Sequence, residues 1–338
     1  MQHYLSNLQI LMKMIVNMRL MLCLLTALAC IDATAQEIDT WSILEKTAYA
    51  ARELNYEGTF EYQNGKQLRH VKIIHINNGS QEFARNIVLD HQTREVYTQD
   101  DNLVIVQPKD KKIAIEKRRG QMMFPAMLPA NLDGIKAYYS AKLIGTELVA
   151  SRDSQVIYLS SNDNFRYHYK IWADKEFGLL LKMALLNRTG ETIEQIAFNQ
   201  IGMLSSVDSN TIRKLQPKID VTKKYVMEDN TITNSATNVS WEVKELPPGY
   251  KKIEHVVRMV PGKTYPIDQV VFSDGIASVS LFIEPLIKGM RPRTGHTHTG
   301  STSMCASVIN GHQVIVVGEV PEETVMQIAH AVSFKNSH

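Results

Sequence analysis

The sequence predicts an α+β protein in which a large antiparallel β-sheet is followed by a smaller second domain. Residues 56–63 alternate in twos between apolar and polar side chains, and Asn64-Gly65 after them is a strong tight-turn signal. Later strand-like segments are joined by short polar breaks, which suit antiparallel neighbours and are too short for the helical crossovers of a parallel sheet. A polar stretch at about 205–240 has no periodic pattern and separates two strand-rich regions.

The first region combines one helix with many strands. Trp41, Leu44, Ala48 and Ala51 recur at helical spacing, which predicts an amphipathic helix. We expect one curved sheet around a helical side, with strands at 56–63, 67–76, 81–89, 95–99, 103–107, 113–117, 141–148, 155–160, 167–173, 179–186 and 192–201. A short helix is expected between two of them, near 132–138.

These patterns divide the chain into a first domain at 36–204, a linker at 205–237 and a smaller α+β domain at 238–338. The predicted strands of the second domain are 241–244, 252–260, 267–273, 277–284, 303–309 and 313–317. A final helix is expected to start near Pro321. Its buried stripe is predicted to contain Val325, Ile328, Ala329 and Val332.

The N-terminus has the pattern of a secretory signal peptide. Lys13 and Arg19 precede the apolar run 20–31, and an A-x-A ending follows. The run is too short to span a bilayer, which takes roughly 20 apolar residues. We therefore expect residues 1–35 to be removed between Ala35 and Gln36. A lipoprotein box ending at Cys30 is the alternative.

Charge and cysteine content exclude some classes of protein. The formal net charge is +2 with signs interspersed, so nothing favours nucleic acid as a partner. Removal of residues 1–35 takes away Cys23 and Cys30 and leaves Cys305 alone. One cysteine cannot form an intramolecular disulfide, so the fold must be held by its core.

One stretch could hold a metal. His296, His298, Cys305 and His312 are residue types that bind zinc or copper. However, Gly295 and Gly300 indicate a loop, Cys305 lies in a strand pattern, and 292–313 contains no acidic residue that could support a ligand. We therefore expect no metal and no cofactor; an exported metalloenzyme is the alternative.

The sequence lacks the motifs of common enzymes. It has no nucleophile elbow, zinc-protease helix, dinucleotide-binding loop or phosphate-binding loop. Ser273-Asp274-Gly275 lies between two predicted strands, where Asp-Gly normally forms a turn. We expect a protein that is not an enzyme.

An apolar cluster with three methionines interrupts the strands of the first domain. Methionine adapts to irregular apolar partners and is frequent at promiscuous binding surfaces. A curved, unclosed sheet leaves an apolar hollow that either protein or ligand must fill. The cluster therefore either plugs this hollow or lines a ligand site in it, and its members are Met122, Met123, Phe124, Met127 and Leu128.

Several motifs together resemble the MucB/RseB family of periplasmic sigma-E regulators. They are NYEGTFEY at 55–62, WAD with FGLLLK at 172–182, EQIAF at 194–198, LPPGY at 246–250, SDGIASVSLFIE at 273–284 and VGEVP at 317–321. Their order and spacing cover nearly the whole chain after the signal peptide. The late set is quite specific. We interpret Trp172, Asp174 and Gly178 as residues that set a strand–turn–strand geometry.

The resemblance implies a fold and a function. Its large domain would be an unclosed β-barrel like that of the lipoprotein carriers LolA and LolB. The protein would lie in the periplasm, bind the periplasmic part of a transmembrane anti-sigma factor of the RseA/MucA type, and shield it from the site-1 protease. Lipopolysaccharide or lipoprotein acyl chains would release it. The methionine cluster is then expected to line or gate the hollow, and the second domain and interdomain groove to supply much of the partner surface.

A lipoprotein or lipid carrier on the same barrel is the alternative function. A carrier would need only the first domain, so the second domain argues against it. Association with a second copy of the chain is left open.

Overall fold

A twelve-stranded sheet makes up most of the first half of the fold. The computed structural model describes residues 39–90, 94–99, 102–107, 112–117, 123–205, 207–215, 226–228, 232–233, 240–260 and 263–335. The strands of this sheet are β1 (Tyr56–Asn64), β2 (Gln67–Asn77), β3 (Glu82–Val88), β4 (Glu95–Gln99), β5 (Asn102–Gln107), β6 (Lys112–Lys117), β7 (Tyr139–Val149), β8 (Arg152–Ser161), β9 (His168–Asp174), β10 (Leu180–Leu186), β11 (Thr192–Met203) and β12 (Val226–Glu228).

The strand order makes this sheet an unclosed barrel. It runs β12-β6-β5-β4-β3-β2-β1-β11-β10-β9-β8-β7, so two meanders meet where β1 pairs with β11. Every neighbouring pair is antiparallel except β12 with β6. Short turns make this possible, as at Gly65, whose positive φ of 55° suits a tight hairpin.

Four helices complete the described part of the chain. They are α1 (Thr40–Glu53), α2 (Asp133–Lys136), α3 (Ser209–Lys214) and α4 (Glu322–His330). Helix α1 presents Leu44, Ala48 and Ala51 to the sheet, where they join one core with Ile157 and Ile171. Among the described residues, no helix combines the length and apolar character needed to cross a bilayer.

A second sheet builds the C-terminal part. Its strands and those of a small two-stranded sheet are β13 (Ile232–Thr233), β14 (Trp241–Val243), β15 (Lys251–Met259), β16 (Pro266–Ser273), β17 (Ser278–Pro285), β18 (Gly295–Thr299), β19 (Thr302–Ile309), β20 (His312–Gly318) and β21 (Val332–Phe334). The larger sheet has seven strands in the order β13-β15-β16-β17-β20-β19-β18, and β14 pairs with β21.

Alternation along the central strands creates two different faces. Val279, Leu281 and Val316 are fully buried and share a core with Val325 and Ile328 of α4. The side chains between them, such as Phe282 and Ile315, lie on the opposite face and are half-buried. The α4 face is therefore the core face, and the other face is open to contacts.

The fold class predicted from the sequence is confirmed: an α+β protein with a large antiparallel unclosed sheet and a second, smaller sheet. Two details of the second region were wrong. Residues 295–299, expected in a loop, form strand β18 because they pair along their whole length with β19. Val332, expected in the final helix, lies in β21 because α4 ends at His330 and Val332 pairs with Val243.

Candidate ligand cavity and interdomain junction

Residues 123–129 fill the inner side of the large sheet. The Phe124 ring lies between two rings of the sheet, with centroids 4.9 Å from Phe60 and 4.8 Å from Phe198. Phe124 and Leu128 are 5% and 2% exposed and belong to the same core as α1. Arg52 of α1 holds the segment by donating from Nη2 to the Leu128 carbonyl oxygen at 2.7 Å.

Little space remains beside this segment. A cavity of about 20 Å³ lies next to Phe124 and is lined by Tyr56, His75 and Met123, among others. That is room for about one water molecule. Met123 and Met127 are half-buried, and Met122 lies outside the described residues. Phe124 and Leu128 are therefore core side chains, Met127 packs against the same core, and Met123 lines the small cavity.

A buried polar contact between the two sheets is built on Arg166. Among the described residues this is the largest fully buried side chain, and its Nε donates to Asp274 Oδ2 at 2.7 Å. Its two terminal nitrogens bond to the Asp163 carboxylate and the Pro248 carbonyl oxygen. The guanidinium also lies over the rings of Tyr138 and Tyr250, at 4.6 and 5.0 Å from their centroids. Every side of the cation is thus matched by a carboxylate, a carbonyl oxygen or an aromatic face.

Asp274 shapes its own turn and also anchors this junction. Its Oδ1 accepts from the backbone N–H groups of Ile276 and Ala277 at 2.9 and 2.8 Å. Its Oδ2 accepts from Arg166 and from the Tyr139 hydroxyl, the latter at 3.0 Å. The turn interpretation of Ser273-Asp274-Gly275 is confirmed. No local sequence signal indicates the long-range ion pair with Arg166.

Burial sets the protonation states at the junction. It raises the pKa of the Tyr139 and Tyr250 hydroxyls well above 10.0, with Asp274 adding to both shifts. Burial also opposes the charge of Arg166, but Asp274 and Asp163 outweigh it and raise the Arg166 pKa. Arg166 is therefore charged, and Tyr139 and Tyr250 are neutral, over the whole physiological range.

A second contact joins the β18–β19 turn to the large sheet. Ser301 is fully buried and donates from Oγ to Glu194 Oε2 at 2.5 Å, while Asn64 Nδ2 donates to the same oxygen at 3.3 Å. Burial, and then the Glu194 carboxylate, raise the pKa of Glu319. Burial also raises the pKa of Tyr62 to about 12. A carboxylate of the large sheet, Glu194, and one directly after β20, Glu319, thus lie near enough to repel each other.

The histidines of the C-terminal region do not converge. His296 and His298 lie on edge strand β18 and are exposed; His298 Nδ1 is 3.3 Å from Glu322. The His312 ring stacks on Phe334 at 4.7 Å, and Cys305 is buried in the core. Within the described residues, no group of three or more His, Cys, Asp or Glu side chains could hold a metal ion.

Trp172, Asp174 and Gly178 lie at the connection between β9 and β10. Asp174 accepts from Arg152 Nε at 2.5 Å and from the Phe177 N–H at 2.7 Å. Trp172 donates from Nε1 to Glu147 at 2.8 Å, and Gly178 has a φ of 83°. These contacts confirm a strand–turn–strand role.

Comparison with known proteins places the chain beside proteins that are named as sigma factor regulators. Sigma-E factor regulatory protein RseB of Haemophilus influenzae is 24% identical over 90% of this chain and 94% of its own length. Sigma factor AlgU regulatory protein MucB of Pseudomonas aeruginosa is 25% identical over 92% and 96%. These relatives are named as regulatory proteins, not as enzymes.

Solved structures agree with this placement. MucB in the Pseudomonas aeruginosa MucA/MucB complex matches with a TM-score of 0.70 and 25% identity over 88% of this chain and 100% of its own. A crystal structure of MucB matches with a TM-score of 0.62 and 23% identity over 89% of this chain and 99% of its own. Residues 39–216 match the MucB/RseB N-terminal domain and residues 235–333 the MucB/RseB C-terminal domain. The resemblance seen in the motifs is confirmed, and the chain belongs to the MucB/RseB family.

Proposed function

We propose that this protein is a periplasmic negative regulator of an envelope-stress sigma factor. It binds the periplasmic segment of a transmembrane anti-sigma factor and shields that segment from regulated proteolysis. A lipid-bearing ligand releases it. Export by the predicted signal peptide, cleaved between Ala35 and Gln36, would bring it to that compartment.

One observation carries this proposal. The similarity to MucB, solved in complex with MucA, extends over 88% of this chain and all of MucB, so both domains of the regulator are represented. A lipid carrier would account for the large sheet alone. The carrier function does not account for the second sheet or for the buried ion pair between the two sheets.

We propose that partner binding uses the second domain and the interdomain groove. The junction fixes the relative position of the two sheets through charged and hydroxyl groups from which water is excluded. A surface shared by two fixed bodies is preorganised, which reduces the ordering cost of binding an extended peptide. A chain ending at residue 237 should therefore lose most of its affinity for the anti-sigma segment. Unchanged affinity would assign the contact to the first domain.

Release by a lipid would begin at residues 123–129. The cavity of about 20 Å³ is far smaller than the roughly 300 Å³ that a small-molecule site occupies. An acyl chain must therefore displace this segment from between Phe60 and Phe198.

Displacement of residues 123–129 would be transmitted to the Asp274 turn by direct contact. A β-carbon added at Gly275 would lie 3.0 Å from Ile135 and 3.7 Å from Pro129, so the Asp274 turn rests on the end of this segment. A ligand that favours the displaced state then shifts the equilibrium away from the partner-bound state.

The test is a binding and protection assay. Mature chain is immobilised and exposed to the periplasmic segment of the anti-sigma factor from the same organism. We expect retention of the segment, slower cleavage by site-1 protease, and displacement by lipopolysaccharide. If the segment is not retained, and a stoichiometric lipid co-purifies instead, the carrier function replaces this one.

A pair of variants tests the lining residues. Met123→Gln with Met127→Gln places amides where an acyl chain would lie, so several-fold more lipopolysaccharide should be needed for release. Met259→Gln is the matched control, because Met259 is 52% exposed at the end of β15. Release at the wild-type concentration in both would remove the methionines from the ligand site.

A further inference from the structure

A second pocket lies in the smaller sheet, on the face opposite α4. Its volume is about 620 Å³, and it sits where β16, β17 and β20 approach Met290. The Asp274 turn precedes the first residue of β17, whereas Glu284 of the pocket lies near the last. Eight extended residues span about 25 Å, so the pocket is at the far end of the sheet from the junction.

The floor of the pocket is apolar. Phe282 and Ile315 are directly paired across β17 and β20, so their side chains project from the same face. Ile267 and Met290 extend the apolar surface. A volume of this size is in the range of small-ligand sites.

The rim of the pocket is basic. It contains Lys263, Arg291 and Arg293, against a single carboxylate, Glu284. Glu284 is paired with Lys263, which leaves two cations. In the part of the chain that the structure describes, neither guanidinium has an ion-pair partner, and both residues are exposed. Buried Gln313 bonds to both the N–H and the carbonyl oxygen of Arg293, each at 2.8 Å, and so fixes the backbone from which that side chain extends.

An unsatisfied donor lies on the same face. Arg258 pairs with Ile267, whose side chain lines the pocket, so the two side chains share this face. Arg258 Nε is buried and has no hydrogen-bond partner among the described residues. Arg258 is not a lining residue, but its guanidinium adds positive charge to the face on which the pocket lies.

We propose that this pocket binds an anionic amphiphile: a single alkyl chain on the apolar floor, with a phosphate between Arg291 and Arg293. Guanidinium groups bind phosphate through paired N–H donors, and the floor excludes water from the chain. Binding here requires neither the anti-sigma segment nor displacement of residues 123–129, so this site and the proposed function can fail separately.

The probe is 1-myristoyl lysophosphatidic acid, titrated below its micellar concentration into the full mature chain. The variant is Arg291→Gln with Arg293→Gln, which keeps the floor intact. We expect the Kd of this variant for the probe to be about ten-fold higher than that of wild type. Wild type should bind the phosphatidylcholine analogue of the probe, and inorganic phosphate, at least about ten-fold more weakly than the probe itself. Lys72→Gln with Lys142→Gln is the control for net charge, since both lysines are exposed on the large sheet. Its Kd should equal that of wild type.

The position of the ligand is checked with the same lipid carrying a diazirine in its chain. Crosslinks to peptides within 263–293 and 312–318 support the site. Crosslinks confined to the first domain, equal affinity of the arginine variant and wild type, or no binding by wild type would each overturn the proposal.

Discussion

Arg166 and Asp274 are 108 residues apart in the chain, yet they form an ion pair of 2.7 Å whose side chains are both completely buried. Arg166 follows strand β8 of the large sheet, and Asp274 follows strand β16 of the small one. Removing one partner of such a pair leaves a buried charge uncompensated. The junction is therefore both a source of stability and a point at which stability depends on the two sheets together.

Asp274→Asn should destabilise the protein by about 3–5 kcal/mol, because Arg166 loses its fully buried carboxylate partner and keeps only the partly exposed Asp163. Urea denaturation followed by circular dichroism measures the change. Arg188→Gln is the control. It breaks an ion pair with Glu323 that also joins the two regions but is about half exposed, and it should cost less than about 1 kcal/mol. Equal losses of unfolding free energy in the two variants would mean that burial does not set the strength of the junction.

Gly249→Ala should destabilise the protein by more than Gly190→Ala. Both glycines have a left-handed backbone, with φ of 80° and 84°, so the backbone cost is the same, about 1–2 kcal/mol. A β-carbon at Gly249 would clash with the Tyr138 ring and lie 2.8 Å from Arg166, whereas at Gly190 no atom of the described residues lies within 4 Å. Overpacking of this kind adds about 1–3 kcal/mol. Denaturation curves that shift equally would show that Tyr138 moves aside freely.

Phe124→Ala should cost about 3–5 kcal/mol through the cavity it leaves, and it should also lower the lipopolysaccharide concentration needed for release. The segment that an acyl chain must displace would then be held less tightly. Val325→Ala is the matched control, since Val325 is fully buried in the other core. It should lower stability without changing release. A shift in release by both variants would attribute the effect to general instability.

The raised pKa of Glu319 predicts a loss of stability with increasing pH. The folded state holds this proton more tightly than the unfolded chain, whose Glu pKa is about 4.5. The free energy of unfolding therefore falls as pH rises from about 4.5 to the higher folded pKa, and levels off above it. Glu319→Gln, which carries no charge, should gain stability relative to wild type across this window. Unfolding measured at pH 4 and pH 7 gives the difference. An identical pH dependence of the two proteins would contradict it.

The overall fold was largely predictable because local signals dominate in it. Alternation in twos and Asn-Gly or Asp-Gly breaks located the meander, and short spacers made it antiparallel. Strand β18 was not predicted because its sequence, Gly295-His296-Thr297-His298-Thr299, has no alternation of apolar and polar side chains. It is an exposed edge strand, where pairing with β19 replaces burial as the cause of strand formation.

The junction could not be predicted from sequence. Arg166 stands in a polar loop between Phe165 and Tyr167, and nothing local distinguishes it from a solvated arginine. Its burial results from Asp274 and Pro248, which lie 108 and 82 residues away. The methionine cluster was located by composition, but composition could not distinguish a plug from a ligand site. That depends on how closely Phe60 and Phe198 approach Phe124.

Strands β12 and β13 limit how far the two halves of the molecule can travel apart. Glu228 ends a strand on the edge of the large sheet, and Ile232 begins one on the edge of the small sheet. The four peptide units from Glu228 to Ile232 span at most about 14 Å. The connection is therefore a short tether with one end paired into each sheet. Any separation of the two sheets must then be a rotation about this connection, unless β12 or β13 first loses its pairing.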